Sequence, residues 1–254
     1  MKLISTLALA LLTGMPLAAQ APMQLDATEQ GTRIDEVPQW LADLSNMPKA
    51  QQEEYKGMFA AAKLAYAEGK WILCETYLTS CDFILPNNPN SWNMRAACAI
   101  ELKKIAEAKE FLDKVLEQDP NDGAALMNMA SWHAAQEDYE AAIHVLFDIL
   151  DRLPYNVSIS LIETLEYRIF LYYLMQGNEA AAKEMVEDLG PLSDTPLYYY
   201  SQAALHIYHG RRAEASQDLQ SADAIYAKDM QYLPFARSLK TSGLEEKYLS
   251  SPTP

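Results

Sequence analysis

Two histidines, His206 and His209, have the spacing that most directly suggests chemistry. They stand at i and i+3 in the stretch "HIYH", so on a helix both imidazoles project from one face and together could bind a metal ion. No third ligand follows at a recognisable spacing. A structural role for the two histidines is therefore favoured, and a metal-dependent enzyme that uses the His206/His209 region is kept as an alternative function.

The three cysteines, Cys74, Cys81 and Cys98, are the next candidates for chemistry. They form no Cys-x-x-Cys motif, so a zinc knuckle or a thioredoxin-type site is unsupported. Cys74 and Cys81 are seven residues apart and share one helix face, where a small buried hydrophobe is the default. Cys98 falls on the next helix, at a level nearer to Cys74. A Cys74–Cys98 disulfide is therefore a hypothesis for an oxidising compartment.

Recognisable catalytic motifs are missing from the sequence. It contains no Gly-x-Ser-x-Gly, phosphate-binding loop, His-Glu-x-x-His or Gly-x-Gly-x-x-Gly. The acidic residues alternate with lysines, as in "ELKKIAEAKEFLDKVLEQD", which is typical of a solvated helix face. We therefore predict a protein that is not an enzyme and holds no cofactor. Its formal charge of −15 disfavours nucleic acid as a partner.

The N-terminus is typical of an export signal. Lys2 precedes an apolar stretch, and a small-residue site ends at Ala19, so residues 1–19 are predicted to be a signal peptide. No later segment is apolar for long enough to cross a bilayer, so no stable membrane insertion is expected after cleavage. The protein is predicted to be periplasmic or secreted. Residues 20–54 are predicted to form a polar linker and a short helix after Pro38.

A fixed period organises the middle of the chain. Pro86, Pro120 and Pro154 are spaced by 34 residues, which is a signature of stacked helical hairpins. Five other positions repeat with the same spacing. They are Ala62, Ala96 and Ala130; Cys74, Ala108 and Ala142; Leu78, Leu112 and Leu146; Cys81, Val115 and Ile149; and Trp71, Ile105 and Tyr139.

The repeated residue types indicate how the hairpins pack. Small Ala and Cys side chains let two helices approach closely, and larger Leu, Val and Ile side chains fill the space against neighbouring hairpins. Each proline is expected to stop one helix and to open the next, with an Asp or Asn beside it as a cap.

The period drifts towards the C-terminus. Gly177 and Gly210 mark two further hairpin turns, with Ala182 and Ala215 in the small-residue position. The spacing from Ala142 to Ala182 is 40 residues, so an insertion is expected to lengthen the helix start in "YNVSISLIETLEY". Residues 228–254 are predicted to be one capping helix, with a break near Pro234, and a disordered tail.

This pattern resembles the tetratricopeptide repeat family, and the chain is identified as an exported bacterial member of it. Residues at the family's positions are Trp92, Ala96, Ala99, Ala108, Leu112, Val115 and Pro120 in the second unit, and Leu126, Met129, Ala130, His133, Ala142, Leu146, Ile149 and Pro154 in the third. The resemblance implies an all-α, right-handed superhelical solenoid of about five helical hairpins over residues 55–227, closed by the C-terminal capping helix.

The family also implies a site, because the first helix of each pair lines a concave groove that often holds a partner peptide. The residues at the matching positions are Lys56, Phe59, Lys63, Tyr66, Asn93, Met94, Met127, Asn128, Ser131, Tyr167, Arg168 and Tyr200. The expected function is therefore a protein-protein interaction scaffold that binds a peptide or helix. Burial of these residues inside the fold, and a structural component that forms a homo-oligomer, remain open alternatives.

Overall fold

The structure, a computed structural model, describes residues 38–154, 156–190, 192–193, 195–226 and 232–249. In this part of the chain it contains thirteen α-helices and no β-strand, which confirms the all-α prediction. The predicted signal peptide, the linker up to residue 37 and the tail after residue 249 lie outside the described residues. In chain order the helices are α1 (Gln39–Asn46), α2 (Lys49–Ala67), α3 (Trp71–Ile84), α4 (Pro89–Glu101), α5 (Ile105–Gln118), α6 (Gly123–Ala134), α7 (Tyr139–Asp151), α8 (Ile159–Met175), α9 (Glu179–Glu184), α10 (Pro196–Tyr208), α11 (Arg212–Tyr226), α12 (Leu233–Ser242) and α13 (Leu244–Leu249).

The helices are grouped in two compact units. Of the described residues, 38–136 and 151–154 belong to an N-terminal unit, and 137–150 and those from 156 onwards to a C-terminal unit. In the N-terminal unit, α2 pairs with α3 and α4 with α5, while α3 packs on α4 and α5 on α6. In the C-terminal unit, α8 pairs with α9 and α10 with α11.

Four of the five predicted repeat positions form the core. All twelve residues at these four positions, from Ala62 to Ile149, have a relative exposure of 0%, whereas Trp71, Ile105 and Tyr139 at the fifth are half-buried. Around Cys74, for example, Ala62 and Ala65 of α2 pack with Leu78 of α3 and Met94 of α4. Helix packing at small residues is thus the basis of each pair, as the sequence predicts.

The connections between pairs are capped by polar side chains. The side chains of Asn88, Asp122 and Ser158 accept backbone N–H groups at the starts of α4, α6 and α8, over 2.8, 2.7 and 3.3 Å. The prolines have a smaller role than expected. Pro86 and Pro120 lie in the connections after α3 and α5 and do not open the next helix, which begins behind its own cap residue.

The turns inside the pairs share a left-handed residue. Gly69, Lys103 and Glu137 are 34 residues apart and have φ of +75°, +59° and +63°. Gly177 and Gly210, the predicted turns, have φ of +79° and +71°. A left-handed residue closes the end of a helix, and glycine adopts this conformation without a steric penalty from a Cβ atom.

The C-terminal region is divided at a different residue from the predicted one. Its described part forms two helices, α12 and α13, separated by Gly243 with φ of +75°. Pro234 lies within the first turn of α12, where the missing N–H costs nothing. The expected lengthening of α8 is confirmed, since α8 has 17 residues and α4 has 13.

Lys103 offers a test of the turn. Lys103→Gly is expected to raise the free energy of unfolding by about 0.5–1 kcal/mol, because it removes the left-handed Cβ penalty at an exposed site. Gly69→Ala should lower it by a similar amount at the matching turn. Urea unfolding followed by circular dichroism measures both changes. The matched control is Lys104→Gly, at a residue with φ of −87°, where no stabilisation is expected. A Lys103→Gly chain no more stable than wild type would contradict the argument.

Candidate partner-binding surface

Most of the twelve predicted groove residues are buried. The eight buried residues are Tyr66, Asn93, Met94, Met127, Asn128, Tyr167, Arg168 and Tyr200. Phe59, Lys63 and Ser131 are half-buried, and Lys56 is exposed. The expectation of an accessible groove along the first helices is therefore corrected for the eight buried residues, whose side chains pack inside the protein. Partner binding by the other four stays a prediction.

In the C-terminal unit, a later helix covers the predicted groove positions. Phe235 of α12 packs on the rings of Tyr167 and Tyr200, with centroids 5.5 and 5.8 Å away. The Tyr167 hydroxyl donates to the Tyr200 carbonyl over 3.1 Å. Burial raises the pKa of both phenols above the ordinary range. The helices α12 and α13 therefore pack along α8 and α10, a position that the predicted role as a cap did not anticipate.

The two predicted amide residues of the N-terminal unit bond to each other. Asn128 Nδ2 on α6 donates to Asn93 Oδ1 over 2.6 Å and to the Asn93 backbone carbonyl over 3.2 Å. Both side chains are buried, so this contact joins the first helices of successive pairs inside the protein. The amides thus hold α4 and α6 together, and little of either side chain is left for a ligand.

One face of α2 keeps its predicted residues at the surface. Lys56, Phe59 and Lys63 lie on it together with Lys49, which is seven residues before Lys56 and exposed. We call these four residues the α2 basic face. The Phe59 ring stacks on Tyr55 at 5.9 Å, and Lys63 Nζ lies 5.5 Å from the Phe59 centroid. Sequence reasoning missed Lys49 because this residue precedes the repeat, although its heptad spacing was a usable signal.

The cations of this face have different surroundings. Lys56 Nζ lies 2.8 Å from Glu53 Oε1 in an exposed pair, which contributes little stability. Lys63 is half-buried, and burial lowers its pKa from the ordinary lysine value. Phe59 lies between the two lysines, so the face combines an apolar ring with positive charge on an acidic chain.

Both histidines of the metal hypothesis have carboxylate neighbours, but on different helices. His206 Nδ1 lies 2.9 Å from Asp218 Oδ2 of α11, and His209 Nε2 lies 3.0 Å from Glu179 Oε1 of α9. Within the described residues, no group of three His, Cys, Asp or Glu could hold a metal ion. Each imidazole therefore contacts one carboxylate, and the two contacts are separate. The described residues do not supply the metal site of the alternative hypothesis.

The comparison with known families agrees with the helical pairs. Residues 99–158, from the end of α4 to the cap of α8, match the family model of the tetratricopeptide repeat. The chain carries tetratricopeptide repeats. Such repeats suggest a scaffold for protein-protein interaction and are typically not catalytic. No curated protein and no solved structure matches the chain. Among the helices of the described ranges, none combines the length and apolar character needed to span a bilayer.

In the first tetratricopeptide-type pair, Cys74 of α3 packs with Cys98 of α4. The two thiols are free, buried and joined by a hydrogen bond. This bond lowers the pKa of Cys74 and, together with burial, raises that of Cys98. Burial raises the pKa of Cys81 to about 12. Cys74 and Cys98 thus lie in the same buried cluster. The disulfide between them stays a prediction.

The buried amide pair can be tested by a double-mutant cycle. Asn128→Leu is expected to cost about 1–3 kcal/mol of unfolding free energy, because it leaves the Asn93 oxygens buried without their donor. Asn93→Leu combined with Asn128→Leu should recover much of this loss, since neither polar partner is then left alone. Urea unfolding of the four chains measures the coupling. Additive losses in the double variant would show that the two amides do not depend on each other.

The cysteine pair can be tested by mass. Treatment with oxidised glutathione is expected to give a chain lighter by two hydrogens, with Cys74 and Cys98 linked and Cys81 left as the thiol that alkylates after unfolding. Non-reducing peptide mapping identifies the linkage. The Cys81→Ser variant should still form the bond and Cys98→Ser should not. Three alkylated thiols after the treatment would contradict the prediction.

Proposed function

We propose that the protein is an exported scaffold that binds a partner peptide or helix on the α2 basic face. The observation that carries this proposal is that Lys56 is exposed and that Phe59 and Lys63 are only half-buried, while the other predicted aromatic and amide positions are buried. Tetratricopeptide repeats suggest a protein partner. The residues of this face indicate which chemistry that partner has.

The face fits a segment with acidic and apolar side chains. The Phe59 ring is held in place by stacking on Tyr55, so an apolar side chain can pack on it without a large loss of conformational entropy. The surrounding lysines can pair with carboxylates at the rim of the contact. On a chain with a formal charge of −15, such a local group of cations also orients an acidic partner as it approaches.

Export is part of the proposal. The residue pattern of positions 1–19 supports a cleaved signal peptide, with a mature chain that begins at Gln20 and resides in the periplasm or outside the cell. N-terminal sequencing of the protein from fractionated cells measures this directly. A chain that keeps residues 1–19 and remains in the cytoplasmic fraction would contradict it.

The binding proposal is tested by charge reversal. Lys56→Glu together with Lys63→Glu should reduce recovery of a directly bound partner from the source cell's envelope by at least about tenfold, because both substitutions oppose the partner's carboxylates. Phe59→Ala should reduce it through the lost ring contact. Pull-down with quantitative mass spectrometry, repeated at high salt, measures recovery; the charge contribution should weaken as salt rises.

The matched control is Lys103→Glu together with Lys240→Glu, the same charge change at two exposed lysines outside α2. It should leave recovery unchanged. Arg168 and Asn128 make poor test positions, because both are buried and their loss would perturb folding. Equal recovery by the wild type, the charge-reversed chain and the Phe59→Ala chain would remove the α2 basic face as the binding site.

A further inference from the structure

The helices after the last pair do not continue the stack of pairs. In the N-terminal unit, α4 packs on α3 and α6 on α5, so each new pair begins on the second helix of the pair before it. The main neighbours of α12 are instead α8 and α10, the first helices of two successive pairs, and α13 packs on the same two helices. The chain therefore returns to a face that earlier helices have already formed. We call this face the α8–α10 groove.

The contact has the form of a helix bound in a groove. Phe235 and Leu239 stand at i and i+4 of α12, and Leu244 is the first residue of α13; all three are buried. Lys240 and Thr241 of the same segment are exposed. Apolar side chains one turn apart, with polar residues on the solvent side, are typical of an amphipathic helix that docks on another surface.

The α8–α10 groove is built by contacts that do not involve α12. The ring centroids of Tyr167 and Tyr200 are 6.0 Å apart, and Tyr167 stacks on Phe170 at the same distance. The Tyr167 hydroxyl donates to the Tyr200 carbonyl. Both rings therefore keep these partners if Phe235 leaves, so the groove is preformed for an aromatic side chain.

The polar contacts of α13 end on backbone groups that water can satisfy. Lys247 Nζ donates to the Met175 carbonyl over 2.6 Å, and the Tyr248 hydroxyl donates to the Leu174 carbonyl over 3.3 Å. Both acceptors lie in the last turn of α8, where carbonyls have no partner within their own helix and are commonly solvated. Release of the segment therefore costs mainly apolar contact.

We propose that α12 and α13 form a detachable internal ligand, and that the α8–α10 groove beneath them is a second partner-binding site. No described element follows α13, so the segment can leave without moving another helix. The partner is an amphipathic helix with an aromatic residue and a leucine at i and i+4, like Phe235 and Leu239. While the segment is docked, it competes with this partner and keeps the site closed.

The charge of α12 distinguishes this partner from the partner of the α2 basic face. Over Leu233–Ser242, α12 carries Arg237 and Lys240 and no acidic residue. The internal ligand of this acidic chain is thus a basic helix, and a basic helix is also the partner that the chain attracts over a distance. The α2 basic face is proposed to take an acidic segment, so failure of either proposal leaves the other intact.

Hydrogen exchange of the full chain tests whether the segment detaches. Amides of α12 and α13 should exchange at least about tenfold faster than those of α8 and α10, because the segment opens locally and the groove helices open only with the rest of the unit. Phe235→Ala should speed exchange in α12 and α13 further and leave α8 and α10 protected. Equal protection of the four helices in the wild type overturns the proposal.

Binding in trans tests the groove itself, with a fluorescent synthetic peptide of residues 232–249 as the probe. Phe235→Ala together with Leu239→Ala in the full chain weakens the internal ligand. This variant should bind the probe at least about tenfold more tightly than wild type, because a site that is open in one molecule in about ten loses affinity by that factor. Fluorescence anisotropy measures both affinities. A probe that carries Phe235→Ala should not bind.

The matched control is Lys240→Ala together with Thr241→Ala, two substitutions at exposed residues of α12, which should bind the probe as wild type does. Circular dichroism and hydrogen exchange establish that α8 and α10 stay folded in each variant. Loss of their protection in the Phe235→Ala, Leu239→Ala chain would show that the segment is an inseparable part of the core, and overturns the proposal. Failure of this folded chain to bind the probe more tightly than wild type also overturns it.

Discussion

The close approach of paired helices at small residues is the constraint on which this structure depends. Ala62 and Cys74 in the first pair, like Ala96 and Ala108 in the second, have no exposed surface. A larger side chain at any of these points would separate two helices along their length. The spacing of 34 residues follows from this requirement, because each connection must bring the next small residue to the corresponding point of contact between two helices.

The connections satisfy the polar groups that this packing leaves at helix ends. Asn88 shows how two demands are met by one side chain. Its oxygen caps α4 by accepting the Asn90 N–H, and its amide donates to the Tyr55 hydroxyl over 2.8 Å. The first helix of one pair is thereby bonded to the start of the next pair. Because Asn88 is fully buried, loss of either partner would leave an unsatisfied polar group.

The sequence predicted the core well because periodicity records which residues meet inside a pair. It predicted the accessible site less well, since periodicity identifies a helix face and not what covers it. Tyr167 and Tyr200 lie on the predicted faces, but Phe235 comes from a helix beyond the repeat and buries them. The break at Gly243 was missed for a related reason. Pro234 was the stronger local signal, although a proline is tolerated in the first turn.

The charge of the chain sets a requirement on the α2 basic face. A chain with a formal charge of −15 repels both acidic partners and its own copies. Binding an acidic segment therefore needs local cations, which Lys56 and Lys63 supply on α2. The packing that buries Ala62 and Cys74 between α2 and α3 takes up the other side of α2, which is why the lysines of the α2 basic face keep contact with solvent.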